Sequence, residues 1–331
     1  MATPAAEQLE QEGYFVLPQV YPPKLVAELT RAIDDTALQS ESALKAFQAN
    51  PFQGIYSLAA IGDPVIPKLL AWGPARDALR LAGVTNARFT SGYSLSKPPG
   101  GPALYWHRDW HFWELAKESA LARGTQLFLM LYLVDTDPSN GCLRVLPRSH
   151  LGRVPLDDLI PVESRNAHGG RESWGEDLAK NPALAEEVQN LVANCPGAVD
   201  VAVKAGDLVV GDSRLFHAAY QNSGTARRTC ITMWYVDWDQ CSDTLRSAYT
   251  DRSHAGSGTA ARAAAAGEQA WVASPCGIPC ATEHEVAMLR PLEPDYDGTA
   301  DPIKPSRLLG EWGRTHAVSR SSHSSSSSGK L

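Results

Sequence analysis

Three observations predict a mainly β fold of the jelly-roll or sandwich kind with flanking helices, an α+β composition. From Ala87 onward the chain breaks into short apolar runs separated by Gly, Pro, Asn and Asp. One run, Leu127-Phe-Leu-Met-Leu-Tyr-Leu-Val134, is almost wholly apolar, as in a strand covered on both faces. The clearest helical periodicity comes before residue 83, where it suits packing outside a sheet. A parallel α/β sheet would instead need strands and helices in regular alternation.

Taken in order, Gly13–Pro18 reads as a short strand. Pro22–Ile33 follows as a helix with proline in its first turn and with Leu25, Val26, Leu29 and Ile33 on one face. A second helical region over Pro64–Leu81 should break near Gly73-Pro74 and end at Gly83. Arg88–Ser96 is a strand, Lys97-Pro-Pro-Gly-Gly101 a turn, and the run Tyr105-Trp-His-Arg-Asp-Trp-His111 the next strand. Asp135–Gly141 is a turn, with further strands at Cys142–Leu146, Val199–Val203, Asp207–Gly211 and Thr229–Val236. Between them, about 151–196 is a polar insertion with a helix near Ala183–Val192, of the length expected for a lid. The predicted organisation is a single domain over 1–318, with a C-terminal extension from about residue 240. The Ser-rich end, 319–331, is expected to be a disordered tail.

The chain has 331 residues, 44% of them hydrophobic and 20% charged, the balance of an ordinary globular protein. A net charge of -7 without any dense Lys/Arg block argues against nucleic acid as a partner. No apolar run approaches the ~18–20 residues of a membrane span, and Met1-Ala-Thr-Pro-Ala-Ala-Glu-Gln lacks the basic and apolar regions of a secretory signal. The expected location is cytoplasmic. The terminal Gly-Lys-Leu differs at one position from the peroxisomal Ser-Lys-Leu address, which leaves import as an alternative. Six scattered cysteines do not form a disulfide framework, and Cys276, Cys280 and His284 are spaced like a loop rather than a zinc site.

His107 and Asp109 are the pair that carries chemistry. Residues two apart on a strand share a face, so both can reach one ion while Arg108 points away. His217, delivered by the strand after Gly206-Asp207, offers a third ligand. Two imidazoles and one carboxylate suit non-haem Fe(II), which must keep positions open for O2 and a co-substrate. Zinc, manganese or a structural His–carboxylate pair would use the same residues. Eleven residues beyond His217, Arg228 begins the strand Arg-Thr-Cys-Ile-Thr-Met-Trp-Tyr235. Its guanidinium could grip a carboxylate through two hydrogen bonds. Arg227 is its rival, and alternation lets only one of them face inward.

Five segments resemble, in order, the phytanoyl-CoA dioxygenase family of Fe(II)/2-oxoglutarate oxygenases. They are Gly13–Pro18 with its helix, Lys97-Pro-Pro-Gly before Trp106-His-Arg-Asp109-Trp110, Asn140-Gly-Cys-Leu-Arg-Val-Leu-Pro-Arg-Ser-His150, Ala205–His217, and Arg228–Tyr235. The chain departs from the family at Arg108, where Gln is common, and at Arg148, where Gly is common.

The resemblance implies a double-stranded β-helix, the cupin-like jelly roll, in which His107, Asp109 and His217 hold iron. It also implies that Arg228 pairs with the distal carboxylate of 2-oxoglutarate, with Lys97 and Tyr105 in the co-substrate region and O2 as second co-substrate. His150 would be structural. Trp106, Trp110, Phe112 and Trp113 are candidates for an apolar substrate wall or for barrel packing. The implied reaction hydroxylates, desaturates or rearranges an unactivated C–H of a small organic molecule, and Asp109 argues against halogenation. Without a basic cluster for CoA phosphates, a terpenoid- or polyketide-like natural-product intermediate is preferred. Acyl-CoA or small-acid hydroxylation, a metal enzyme that uses no keto acid and a catalytically silent β-barrel binding protein are the alternatives. The expected partner is a small-molecule substrate; a second copy of the chain, forming a homodimer, stays open.

Overall fold

The computed structural model describes residues 3–39, 54–61, 63–110, 112–113, 115–159 and 182–250. The middle of the expected lid, the Cys276/Cys280/His284 group, His111 and the Ser-rich tail lie outside the described residues.

The chain opens with a helix that the polar N-terminus did not announce, α1 (Pro4–Glu12). The Thr3 side chain caps it, accepting from the Ala6 amide, and Gly13 ends it at φ 86°. After β1 (Tyr14–Leu17), α2 (Pro23–Gln39) runs past the predicted end at Ile33, since nothing in the sequence breaks it there. Leu25, Val26, Leu29 and Ile33 are all buried, as their spacing predicts. The edge strand β2 (Gly54–Ser57) and the one-turn helix α3 (Leu58–Ile61) come next. The region over Pro64–Leu81 divides into α4 (Val65–Leu70) and α5 (Gly73–Leu81), as expected of Gly73-Pro74.

Strands β3 (Ala87–Lys97) and β4 (Leu104–His107) lead through α6 (Ala116–Ser119) to β5 (Gln126–Tyr132) and β6 (Leu143–Val145). The short helix α7 (Leu156–Leu159) and α8 (Pro182–Asn194) precede β7 (Val199–Val201), β8 (Leu208–Asp212), β9 (His217–Ala219) and β10 (Arg228–Asp237). The last described element is α9 (Asp243–Thr250). The strands form two sheets, ordered β1-β8-β5-β10-β3-β2 and β4-β9-β6-β7, in which all recorded pairings are antiparallel.

β5 shows why its sequence is apolar throughout. Leu127, Leu129 and Leu131 face a cluster built with α1, α2, α4 and α5, whereas Phe128, Met130 and Tyr132 meet Leu143, Val145 and Val201 of the smaller sheet. β10 alternates in the same way, with Ile231, Met233 and Tyr235 towards the helices and Cys230 and Trp234 towards the interior. The described helices of the insertion cover the other side of the smaller sheet, where Leu156 and Val192 pack with Trp106, Phe216 and Ala218.

The Asn140–His150 turn has a backbone rationale. Gly141 has φ 93°, and a Cβ there would lie 3.0 Å from the Tyr220 carbonyl and 3.2 Å from Cδ of Lys97. Arg148, where the family commonly has glycine, holds φ 70°. The left-handed conformation costs an L-residue roughly 1–2 kcal/mol, partly offset by the roughly 0.5–1 kcal/mol greater entropy loss of glycine on folding. Arg148→Gly is therefore expected to raise stability by up to about 1 kcal/mol, visible as a higher urea midpoint at unchanged slope. An unchanged or lower midpoint would show that the strain is relieved in some other way.

Candidate active site

His107 and His217 are cross-strand partners in the β4–β9 pair, with ring centroids 4.1 Å apart. The strand does not continue to Asp109 as the sequence reading expected. β4 ends at His107, and Asp109 returns to the site because its amide and that of Trp110 donate to the Ser213 carbonyl at 2.8 and 2.9 Å. Asp109 Oδ1 lies 3.7 Å from His107 Nε2 and Oδ2 lies 3.6 Å from His217 Nε2. All three side chains are buried, and their ligand atoms fall within 4.8 Å of one another.

Both histidines have Nδ1 beside a backbone carbonyl two residues back, Tyr105 O at 2.9 Å and Leu215 O at 3.1 Å. An Nδ1–H donated there puts the lone pair of each ring on Nε2, the tautomer that can ligate a metal. The donor set, two neutral imidazoles and a carboxylate, fits a divalent ion that keeps further positions open. Phe128 packs 5.1 Å from the His217 ring. Its own ring needs Gly211, where a Cβ would come within 2.1 Å of it.

Arg228 faces inward as alternation allowed, only 2% exposed, while Arg227 pairs with Asp34 on α2. One Arg228 amino nitrogen donates to Cys230 Sγ at 3.1 Å, and its buried Nε has no hydrogen-bond partner among the described residues. Lys97 is its cross-strand partner, fully buried, donating to the carbonyls of Pro102 at 2.8 Å and Tyr220 at 2.6 Å. Burial, then the neighbouring guanidinium, holds the Lys97 pKa well below the usual lysine range. Two adjacent buried cations with an unspent N–H fit a carboxylate. Tyr105 lies 5.5 Å from the His107 ring, and burial, then the Asp109 charge, pushes its phenol up to about 12.

His150 is buried with Nε2 3.1 Å from the Glu10 carbonyl, tying α1 to the Asn140–His150 turn, a structural position as expected. Of the four aromatics proposed as a wall or as packing, Trp106 joins the cluster beneath α8, and Trp113 is exposed with the Arg108 guanidinium 5.3 Å from its ring centroid. Trp110 and Phe112 pack with Val236, Cys241 and Leu245. The rings beside the triad are Tyr105, which the resemblance puts in the co-substrate region, and Phe128, which carries no such signal in the sequence.

Two more residues escaped the sequence reading. Trp234 donates its indole N–H to Asp109 Oδ2 at 2.9 Å. Arg108, pointing away as expected, pairs with Asp157 at 2.6 Å, donates to the Ser149 carbonyl at 3.0 Å and lies 3.6 Å over the Phe216 ring. It thereby links both ligand-bearing segments to the start of the insertion. The only available signal was that a cation between two ligands needs a counter-charge elsewhere.

Two facing antiparallel sheets with a two-histidine, one-carboxylate cluster between them are the arrangement expected of a non-haem iron oxygenase. The family described as phytanoyl-CoA dioxygenase (PhyH) matches residues 9–230. The ectoine dioxygenase of Sphingopyxis alaskensis is 28% identical over 237 residues, 66% of this chain and 70% of that protein. A probable alpha-ketoglutarate-dependent hypophosphite dioxygenase of Stutzerimonas stutzeri is 26% identical over 170 residues, 49% of this chain and 50% of its own. Among solved structures, the non-heme alpha ketoglutarate dependent carbocyclase SnoK from nogalamycin biosynthesis shares the fold. Its TM-score is 0.50 at 22% identity, over 72% of this chain and 84% of that one. The chain belongs to the phytanoyl-CoA dioxygenase family of Fe(II)/2-oxoglutarate-dependent oxygenases. It is a 2-oxoglutarate-dependent dioxygenase, with iron as its metal.

Proposed function

We propose that His107, Asp109 and His217 hold the Fe(II), and that Arg228, assisted by Lys97, receives the distal carboxylate of 2-oxoglutarate. The enzyme then oxidises an unactivated C–H of a small organic substrate. The observation that carries this reading is the coexistence, in one interior, of the buried triad and the inward Arg228 with its unspent Nε–H. When bound, the metal supplies the O2 chemistry that couples substrate oxidation to conversion of 2-oxoglutarate into succinate and CO2. The chain's own part is geometric. Hydrogen bonds to the Tyr105 and Leu215 carbonyls orient the imidazoles, Arg228 and Lys97 fix the far end of the keto acid, and Phe128 packs an apolar surface against His217. Tyr105 borders the triad as a neutral phenol able to donate a hydrogen bond.

The interior between the sheets, with Leu95, Phe128, Met130 and Trp234, favours an apolar natural-product intermediate. Ectoine, on which the Sphingopyxis relative acts, is the second reading, favoured by that 28% identity. The test is an anaerobic titration of the Fe(II)-loaded protein with 2-oxoglutarate, followed by succinate assays with apolar carbocycles and with ectoine. A metal-to-ligand charge-transfer band is expected, lost in His107→Ala, together with one succinate per oxidised substrate. Substrate oxidation without 2-oxoglutarate would sink the co-substrate assignment. Failure to bind Fe(II) at all would sink the ligand set.

A further inference from the structure

Six coordination positions around the iron must accommodate three protein ligands, two atoms of 2-oxoglutarate and O2. That count works only if Asp109 contributes one oxygen, yet a free carboxylate can chelate with both. A hydrogen-bond donor committed to one of the two oxygens would oppose this. The Trp234 Nε1–H donates to Asp109 Oδ2 at 2.9 Å; that oxygen lies 3.6 Å from His217 Nε2, and Oδ1 lies 3.7 Å from His107 Nε2.

Trp234 is itself fixed. Its ring meets Tyr93 edge to face at 5.8 Å and 71°, and its carbonyl accepts from the Thr90 hydroxyl at 3.1 Å. The β10–β3 register shifts between Trp234 and Tyr235, whose partners are Ser91 and Phe89, so the extra residue is Thr90 on β3, while the β10–β5 pairing runs through Trp234 unbroken. Here the strand that carries Arg228 at one end delivers the indole to the metal ligand near the other.

We propose that Trp234 is a positioning residue that holds Asp109 to single-oxygen coordination and so keeps open the position 2-oxoglutarate needs. This rests on the triad and co-substrate assignments above. In Trp234→Phe the ring contact with Tyr93 can persist while the N–H is lost. In Trp234→Gln the ring is lost but an N–H donor of similar reach remains.

The experiment titrates 2-oxoglutarate anaerobically into the Fe(II)-loaded wild type and both variants, reading the charge-transfer band. Cobalt-substituted samples report coordination number through their visible spectra, and thermal unfolding checks folding. Trp234→Phe is expected to weaken 2-oxoglutarate binding by about tenfold or more, the size of a lost hydrogen bond to a charged group. Its cobalt spectrum before 2-oxoglutarate should shift towards higher coordination. Trp234→Gln should lie nearer the wild type in both readouts. Wild-type affinity and spectrum in Trp234→Phe would overturn the proposal while leaving the site assignment intact. Equal impairment of both variants would also overturn it, because packing rather than the donor would then be responsible. A wild type that binds neither iron nor 2-oxoglutarate would overturn both.

Discussion

Arg228→Ala is expected to lower kcat/KM for 2-oxoglutarate by roughly 100- to 1,000-fold, corresponding to about 3–4 kcal/mol for removing one partner of a buried, hydrogen-bonded charge pair. The loss should be mainly in KM and in the dissociation constant of the Fe(II) protein, because the proposed role of the guanidinium is to grip the end of the keto acid remote from the reacting atoms. Arg228→Lys should recover only part, since an ammonium keeps the charge but loses the two-pronged geometry. Arg227→Ala is the control. That side chain pairs with Asp34 on the helical side and should leave 2-oxoglutarate affinity unchanged. Steady-state kinetics with varied 2-oxoglutarate decide it, and a fall of less than threefold in Arg228→Ala would refute the assignment.

Lys97 adds a pH dependence whose sign can be worked out. The groups around its ammonium are Arg228 and Cys230 on β10 and Cys142 at the start of β6. Burial pushes both thiols up, so they stay neutral, and Tyr132 is likewise pushed up by burial. Lys97 therefore gives up its proton at a lower pH than an exposed lysine. A dianionic co-substrate favours the protonated form, so affinity for 2-oxoglutarate should fall as pH rises above that lowered pKa, approaching tenfold per unit. In the co-substrate-free protein the same depression means that stability rises with pH up to the ordinary lysine value, because the unfolded chain keeps the proton longer. The affinity profile should flatten in Lys97→Met.

The site was legible in the sequence to the extent that its chemistry is local. His107, Asp109 and His217 are unusual residue types for an interior; strand alternation admits only one of Arg227 and Arg228, and the family resemblance, with its eleven-residue interval from His217, favours Arg228. The alternation in β5 and the break at Gly73-Pro74 were readable for similar reasons. What escaped depends on contacts between distant segments. That β4 stops at His107 is set by the Ser213 carbonyl, more than a hundred residues away, which captures the Asp109 and Trp110 amides. Trp234 looked like one more apolar strand residue, because a hydrogen bond from an indole leaves no periodic trace. Arg108 could be seen to point away from the metal, but its partner Asp157 lay in a polar insertion without pattern. Arg148 is the converse case, a known departure whose cost became visible only as a positive φ.

The Ser213 carbonyl belongs to a turn whose anchor should dominate stability. Asp212 and Arg214 are both almost fully buried, with Arg214 Nε and an amino nitrogen on the two carboxylate oxygens at 2.9 and 2.7 Å. Asp212 also accepts from the Gly124 amide at 2.6 Å and the Arg214 amide at 2.9 Å, and Arg214 donates to the Ser119 and Leu121 carbonyls at 2.8 and 2.7 Å. Asp212→Ala strips a buried guanidinium of its counter-charge and should cost about 3–5 kcal/mol in denaturant unfolding. Arg214→Met alone should be similarly damaging. The double variant should cost less than the sum, because two residues of one network are not additive. The functional consequence separates this turn from any other buried ion pair. Ser213 holds the Asp109 segment and Leu215 holds the His217 imidazole, so loosening the turn should disturb two of the three proposed ligands together. Arg123 and Asp237 form another buried pair, 2.5 Å apart, whose further hydrogen bonds include those to the Gly83 and Gly124 carbonyls and from Gln240. Asp237→Ala is therefore the comparison. At a temperature where both variants remain folded, it should retain Fe(II) affinity, whereas Asp212→Ala should lose about tenfold or more, as when groups supporting metal ligands are removed. Equal iron affinity in the two variants would mean that the turn supports the fold without holding the ligands in register.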